Sequence, residues 1–251
     1  MSDFDDLLHE AAAAPVGTWD FSWLDGRAIE DRPTWHYFDR VAERAATVGS
    51  ALEIEAGVGA MIAALPVLPE LAVAAEGFAS SVALAGPRLR TRGVHLVVVS
   101  QTLVGLPLAD DVFELVISRH PIEPWWPEIA RVLKPGGHYF AQHVGPHSLR
   151  TLSEFFLGPL PEASKRDPAF ERRAAQDAGL VVQIMDVERP RTAFFDIGAV
   201  VYFLRLVPWI VPGFTVAKYR DALRDLDAVI QRDGGFETTS SRILVDAFQA
   251  G

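Results

Sequence analysis

The sequence contains no cysteine, so disulfide bridges, thiol nucleophiles and cysteine-bound metal sites are excluded. The chain has 7 histidines, and four of them, His120, His138, His143 and His147, raise the question of a metal site. No predicted helix carries the H-x-x-x-H spacing that would place two histidine ligands on one face, and no cluster of acids lies near the histidines. We therefore expect no metal ion.

Basic residues and long apolar runs are also in short supply. Lysine and arginine total 23 against 33 acids, so the formal net charge is −10 and a nucleic-acid partner is disfavoured. The most apolar window, 197–211, is shorter than the ~20 residues of a membrane-spanning helix and contains Arg205 and Pro208. Three of the first six residues are aspartates, unlike the positively charged start of a signal peptide. We expect a cytoplasmic protein with no membrane partner.

The residues that are present describe a globular chain. Apolar residues make up 49% and charged residues 22%, which is enough to bury a full core. From residue 50 onwards, short apolar runs alternate with helical periodicity, a pattern that predicts an α/β fold with a doubly wound, mostly parallel sheet. The predicted strands are 51–55, 71–76, 94–100, 112–117, 138–144, 180–187 and 240–248. Seven strands with a reversed last strand are expected.

The remaining segments are predicted as helices and turns. The predicted helices are 2–14, 33–47, 61–65, 78–85, 125–133, 149–157, 168–178 and 216–230, and 87–93 is predicted as a basic turn. We expect one domain over 1–251, in which 1–48 forms a helical and aromatic N-terminal cap. Residues 190–235 are predicted to be a helical insertion that forms a substrate lid.

The sheet is organised around the stretch ALEIEAGVGA at residues 51–60. This stretch predicts a short buried strand, a tight glycine turn and the first turn of a helix. Such a turn brings backbone N–H groups close to a nucleotide-like ligand. Gly57 and Gly59 lack a Cβ atom, which lets a ligand approach the backbone, and Glu53 places an acid at the end of the strand.

Four motifs in this order resemble the class I S-adenosylmethionine (SAM)-dependent methyltransferases. They are the acid and glycine-rich turn at 53–59, Glu76 at the end of the second strand, LPLADDVFELV at 106–116 and PEIARVLKPGG at 127–137. The resemblance covers roughly residues 50–250. It implies a Rossmann-like methyltransferase fold, SAM as the cofactor and a methyl acceptor as the partner.

The resemblance also implies a cofactor site. Glu76 would accept hydrogen bonds from the ribose hydroxyls. Glu55 departs from the family pattern because it stands where the first glycine usually lies, so its carboxylate must point away, meet the SAM ammonium or block the site. The cofactor-binding residues expected from the resemblance are Glu53, Glu55, Ala56, Gly57, Gly59, Glu76, Gly77, Thr102, Leu103, Ser118 and Arg119.

Methyl transfer needs a general base only if the acceptor is a hydroxyl or a protonated amine. His120 follows the fourth strand and His143 lies late in the fifth, where open α/β sheets bind ligands outside the strand ends. We expect these two histidines as the catalytic candidates. The alternative for each is a hydrogen-bonded histidine with a structural role.

Large aromatic residues suggest where the methyl acceptor binds. They cluster in 15–33, with Trp35 in the predicted helix that follows, and in 192–211, where Arg205 could add one polar anchor to an apolar pocket. The alternative is that both segments simply pack on the sheet. The substrate-binding residues expected are Trp19, Trp23, Trp35, Phe195, Tyr202, Arg205 and Trp209.

Three functions are compatible with these patterns. The first is a SAM-dependent methyltransferase that acts on a bulky apolar or aromatic small molecule. The second is a protein of the same fold that has lost methyl transfer and binds or rearranges a ligand, supported by Glu55 and by the lack of an acid in 100–103. The third, an RNA or protein methyltransferase, is disfavoured by the net charge. A homodimer is left open.

Overall fold

The computed structural model describes residues 4–17, 21–99, 105–162 and 166–250. Nineteen helices and strands, and one short 3-10 helix at Ser22–Leu24, lie in this part of the chain. In chain order they are α1 (Phe4–Ala13), β1 (Ala28–Glu30), α2 (Tyr37–Ala45), β2 (Ser50–Ile54), α3 (Ala60–Ala63), β3 (Leu71–Glu76), α4 (Ala79–Arg90), β4 (His95–Val98), β5 (Phe113–Arg119), α5 (Trp126–Val132), β6 (Leu133–Val144), α6 (Arg150–Leu157), α7 (Pro168–Asp177), β7 (Leu180–Glu188), β8 (Arg191–Phe194), α8 (Ile197–Leu206), α9 (Arg220–Asp233), β9 (Phe236–Thr239) and β10 (Arg242–Gln249).

These elements divide into two compact units, each made of three chain segments. The sheet unit comprises Pro33–Pro146, Ser164–Glu188 and Arg242–Gly251. The helical unit comprises Met1–Arg32, His147–Ala163 and Arg189–Ser241. The predicted cap, 1–48, is therefore divided between the two units, whereas the predicted lid, 190–235, lies wholly in the helical unit.

The sheet unit contains a seven-stranded sheet in the order β4-β3-β2-β5-β6-β10-β7. Neighbours from β4 to β6 are parallel, and β10 runs antiparallel to both β6 and β7. The predicted seven-stranded, mostly parallel sheet with a reversed last strand is confirmed. Because β2 lies inside the sheet and all five of its residues are buried, it places apolar residues on both faces, Leu52 and Ile54 on one and Ala51 on the other.

Two apolar cores cover the two faces of this sheet. Leu52 of β2 and Val116 of β5 belong to one core, and Ala51 and Leu115 belong to the other. Successive residues of a strand point to opposite faces, so each strand contributes to both cores. The arrangement leaves the carboxyl ends of β2, β3 and β5 at one edge, where their turns meet.

The helical unit has its own small sheet and its own core. Strands β1, β8 and β9 pair antiparallel in the order β1-β8-β9. Helix α8 buries eight of its ten residues in the core of this unit. This burial explains why residues 197–211 are so apolar, although the stretch is too short for a helix that spans a membrane. In the described ranges, no helix combines the length and the apolarity needed to cross a membrane.

Several predicted boundaries were wrong; among them, β6 begins at Leu133 instead of residue 138, and α9 spans Arg220–Asp233 instead of 216–230. Three further differences have a local explanation. Helix α4 continues through Pro87 to Arg90, because Ala85 and Leu89 are buried on the sheet and this packing offsets the missing N–H of the proline. Helix α2 begins at Tyr37 instead of Pro33, since His36 has a left-handed backbone. The last predicted strand, 240–248, begins at Arg242, and a separate strand, β9, precedes it.

Gly59 and Gly57 allow a matched test of the turn after β2. Both have positive φ, +67° and +56°, so alanine is strained at either position. A Cβ at Gly59 would lie 2.8 Å from Leu89 Cδ2, whereas at Gly57 it would meet no atom within 4 Å. We expect Gly59→Ala to lower the free energy of unfolding by ~1–3 kcal/mol more than Gly57→Ala, measured in urea. Equal losses in the two variants would show that backbone strain alone, and not the contact with Leu89, lowers the free energy of unfolding.

Candidate functional site

The turn after β2 has a left-handed backbone at three of its five residues. The φ angles are +55° at Glu55, +56° at Gly57 and +67° at Gly59. Glycine adopts this conformation freely, but a residue with a side chain loses about 1–2 kcal/mol there. Glu55 therefore occupies a backbone position that suits glycine, and its side chain enters a region that a glycine would leave open.

The Glu76 carboxylate, at the end of β3, binds the backbone of this turn. It is 3% exposed and accepts hydrogen bonds from three N–H groups: Gly57 at 2.6 Å, Gly77 at 2.7 Å and Phe78 at 2.7 Å. A carboxylate offers about four lone-pair positions. Within the described residues, one position on Oε2 is left, so Glu76 can accept one further hydrogen bond without losing those that it has.

Glu53 is buried behind the turn. Its carboxyl group accepts a hydrogen bond from the backbone N–H of Ile62 at 3.3 Å. Burial raises the pKa of Glu53 to about 8, and the Ile62 bond and the charge of Arg119 oppose this only in part. Glu53 is therefore mostly protonated at neutral pH and holds the start of α3 against β2.

The Glu55 side chain reaches the segment that follows β5. Its Oε2 accepts a hydrogen bond from the backbone N–H of Ile122 at 2.8 Å. Burial raises the pKa of Glu55, and the charge of Glu76 raises it further. The carboxyl group thus lies at the segment after β5 and leaves the space beside Gly57 open.

A cavity of about 270 Å³ lies beside these acids. It opens at the carboxyl ends of β2 and β3, which is where open α/β sheets bind ligands. Acids line one part of it and apolar side chains the rest. The lining residues are Ile54, Glu55, Ala75, Glu76, Gly77, Phe78, Val99, Leu106, Ile122, Glu123 and Trp125.

Of the predicted cofactor-binding residues, Glu55, Glu76 and Gly77 line this cavity. Ala56 is buried and donates its N–H to the carbonyl of Ala75 at 3.1 Å. Ser118 is also buried, and its hydroxyl donates to the carbonyl of Ile54 at 3.0 Å, joining the ends of β5 and β2. Arg119 is exposed. Thr102 and Leu103 lie outside the described residues.

Several lining residues were not predicted, although the sequence held a signal for some of them. Phe78 and Ile122 are large apolar residues that stay exposed after folding, and Trp125 is only partly buried. Each follows directly or within a few residues of a strand end, at the edge where ligands bind. A search of the sequence for aromatic residues just after predicted strands could have found Phe78 and Trp125.

His120 follows β5 and lies two residues before Ile122. Its Nε2 is 2.9 Å from Nε2 of Gln142, and its backbone N–H donates to the carbonyl of the same residue at 2.7 Å. Burial, together with the nearby guanidinium groups of Arg242 and Arg119, holds the pKa of His120 well below its ordinary value. His120 is thus a neutral imidazole at physiological pH.

His143 is enclosed in the sheet unit, with 1% of its surface exposed. Its Nδ1 lies 2.6 Å from Oε2 of Glu171, and its Nε2 lies 2.8 Å from the hydroxyl of Tyr139. Both ring nitrogens therefore have a protein partner, and burial separates them from solvent. This geometry supports the structural alternative for His143 and gives the catalytic role no support.

The predicted substrate-binding residues in the helical unit have different environments. Tyr202 is 2% exposed and stacks on Trp23 at 4.7 Å between ring centroids. Arg205 donates to the carbonyls of Ala11 and Ala14, so its guanidinium group caps the end of α1. The remaining two, Phe195 and Trp209, are 38% and 53% exposed.

The last two predicted substrate-binding residues are tryptophans. Trp35, in the sheet unit, donates its indole N–H to Gln142 at 2.8 Å. Trp19 lies outside the described residues. The substrate role of all seven residues stays a prediction.

The central part of the chain matches a known protein family. Residues 52–141 match the family model described as "Methyltransferase domain". These residues run from β2 to β6 and include all four sequence motifs as well as the acids of the cavity. No curated protein matches the chain.

Solved structures with low sequence identity have a similar fold. The YcgJ protein of Bacillus subtilis is 14% identical, with a TM-score of 0.60, covering 86% of this chain and 99% of that one. The [4+2]-cyclase SpnF is 19% identical, with a TM-score of 0.53 and coverage of 98% and 93%. A geranyl diphosphate methyltransferase in complex with SAM is 14% identical, with a TM-score of 0.52 and coverage of 85% and 84%. These identities establish a shared fold alone.

The raised pKa of Glu53 makes stability depend on pH. Its ordinary value is 4.5, so between pH 4.5 and about 8 the folded protein holds a proton that the unfolded chain has lost. The stabilisation is full below pH 4.5 and is lost as pH rises through 8. As pH rises through that range, we expect the unfolding free energy of the wild type to fall relative to that of Glu53→Gln, by up to about 1.4 kcal/mol per pH unit.

Urea unfolding at half-unit pH steps measures this difference. Glutamine keeps an acceptor for the Ile62 N–H, so the comparison isolates the ionisation of Glu53. Glu70→Gln, at an exposed position, controls for the loss of one acid. A difference between wild type and Glu53→Gln that stays constant from pH 5 to 8 would contradict the raised pKa.

Proposed function

We propose that this protein, whose residues 52–141 match a methyltransferase domain, transfers the methyl group of SAM to a bulky apolar or aromatic small molecule. The observation that carries the proposal is the cavity at the carboxyl ends of β2 and β3. It is lined by Glu55 of the turn after β2, by the Glu76 carboxylate and by an apolar wall, all within the matched residues 52–141.

The residues around the cavity fit the chemical groups of SAM. The free lone-pair position on Glu76 Oε2 suits one ribose hydroxyl, where the sequence pattern alone suggested two. Phe78, Trp125 and Leu106 offer apolar surface to the adenine ring. The open space beside Gly57 admits a ligand close to the backbone.

Electrostatics of the cavity also fit SAM. The lining includes the three acids Glu55, Glu76 and Glu123. SAM carries a sulfonium and an ammonium against one carboxylate, so it is a net cation, whereas its demethylated product has no net charge. An acidic lining favours the cation, and Glu55 in the place of a glycine adds to this preference.

When bound, SAM supplies an electrophilic methyl group, so the protein's own task is to position the acceptor and exclude water. His120 lies beside the cavity-lining segment and could contact the acceptor. The exposed aromatics Phe195 and Trp209, with Trp23 and Trp35, remain our proposed contacts for an apolar acceptor. The predicted lid, 190–235, remains part of this proposal.

A second candidate is ligand binding or rearrangement without methyl transfer. Two observations favour it. Glu55 places a carboxylate in the cavity at a left-handed position that suits glycine, and a protein described as a [4+2]-cyclase has a similar fold. In that case the cavity would still bind SAM or its product, but no methylated compound would form.

Calorimetry with SAM tests cofactor binding directly. We expect micromolar binding by the wild type and at least ~10-fold weaker binding by Glu76→Gln. Glutamine has one acceptor oxygen in place of two, so it cannot accept from all the N–H groups of the turn and from the ribose hydroxyl as well. Glu70→Gln, an exposed acid before β3, is the matched control and should bind as the wild type does. Absence of heat at millimolar SAM would overturn the proposal, and methylation assays with aromatic acceptors separate it from the second candidate.

Glu55 should set the preference for SAM over its demethylated product. We expect Glu55→Gln to reduce the ratio of the two affinities by ~3- to 10-fold, about 0.7–1.4 kcal/mol, mainly through weaker SAM binding. Because burial raises the pKa of Glu55, the wild-type ratio should grow with pH as the carboxylate forms. A ratio that is the same in both proteins would mean that Glu55 does not sense the cofactor's charge.

A further inference from the structure

Three side chains near the carboxyl ends of β5 and β6 form a hydrogen-bonded row. The indole Nε1–H of Trp35 donates to Oε1 of Gln142 at 2.8 Å. On the other side of the amide, Nε2 of Gln142 lies 2.9 Å from Nε2 of His120. Gln142 is 4% exposed, so the middle of the row is shielded from water, whereas Trp35 and His120 are partly buried.

The donors and acceptors of the row determine where the proton of His120 lies. An indole nitrogen can only donate, so the Gln142 atom that faces Trp35 must be the carbonyl oxygen. The NH₂ group of Gln142 then faces His120 and needs an acceptor there. In a neutral imidazole this acceptor is the unprotonated nitrogen, Nε2, and the proton therefore lies on Nδ1.

The backbone reinforces this arrangement. The N–H of His120 donates to the carbonyl of Gln142 at 2.7 Å, so one residue of β6 holds both the main chain and the side chain of His120. His120 has a left-handed backbone, with φ +60°, which turns the chain directly after β5. Within the described ranges, Nδ1 of His120 has no hydrogen-bond partner.

The surroundings of His120 are positively charged although the protein as a whole is acidic. Burial is the largest cause of its lowered pKa. Four neighbouring groups lower the pKa further, because their charges disfavour a second proton on the ring: Arg242, Arg119, His143 and Arg166. Three of these four are guanidinium groups with permanent charge. A neutral N–H donor among fixed cations is suited to an anion and unsuited to accepting a proton.

We propose that His120 is a fixed hydrogen-bond donor for an oxyanion of the methyl acceptor, a carboxylate or a phenolate, with Trp35 and Gln142 as the positioning residues that hold its proton on Nδ1. This inference rests on the proposed function and replaces the predicted role of His120 as a general base. The oxyanion bonds to the transferred methyl group with its own lone pair, the carbon–sulfur electron pair stays on sulfur, and no proton moves.

The tautomer can be measured by ¹⁵N NMR of histidine-labelled protein. His120→Asn identifies the His120 signals, since asparagine tolerates the left-handed backbone. We expect a protonated Nδ1 and an unprotonated Nε2 in the wild type. Gln142→Glu should reverse the assignment, because a carboxylate accepts from both neighbours, and Trp35→Phe should give a mixture of tautomers. Gln231→Glu, a surface change of the same charge, should have no effect.

Benzoate and benzyl alcohol serve as probes of the acceptor site. In the wild type saturated with SAM, benzoate should perturb the Nδ1 signal of His120 with about fivefold tighter half-saturation than benzyl alcohol. In Trp35→Phe, the half-saturation concentrations of benzoate and benzyl alcohol should become nearly equal. If His120 is protonated on Nε2 in the wild type, or if it responds to neither probe or equally to both, the inference is wrong.

These outcomes are separate from those for the proposed function. A protein that fails to bind SAM but keeps the Nδ1 proton would overturn methyl transfer and leave the tautomer assignment intact. A protein that binds SAM but carries the proton on Nε2 would overturn only the role given to His120, Gln142 and Trp35.

Discussion

The candidate site depends on one interaction, the bonds from three backbone N–H groups to the buried Glu76 carboxylate. These bonds join the turn after β2 to the end of β3, so two neighbouring strands share one charged group at their carboxyl ends. A buried carboxylate is stable only with such partners. The turn and the acid therefore determine each other's position, and the cavity exists because both are held in place.

Much of this arrangement could be predicted from the sequence, because its signals are local. The apolar run of β2, the two glycines and the acid at the end of β3 have a fixed order and spacing, and the resemblance to class I SAM-dependent methyltransferases rests on them. The reversed strand β10 followed from the long excursion before it. These features are confirmed by the sheet order and by the family match.

Other features could not be predicted, because they arise from contacts between residues far apart in the chain. The direction of the Glu55 side chain depends on the N–H of Ile122, 67 residues later. His143 and Arg205 have the residue types of a functional site, but burial against Glu171 and against the end of α1 gives them structural partners. No periodicity or motif reports such contacts. The small sheet of β1, β8 and β9 was missed because its strands are only three or four residues long.

The position of β10 has a consequence for how the protein is made. Among the described strands β10 is the last in the chain, yet it lies inside the sheet and is the strand through which β7 joins it. During synthesis, β6 and β7 therefore leave the ribosome with unpaired edges that face a missing neighbour. Unpaired edges invite pairing with other chains. The sheet can close only after residues 242–249 emerge, so β6 and β7 both depend on a strand that is made after them.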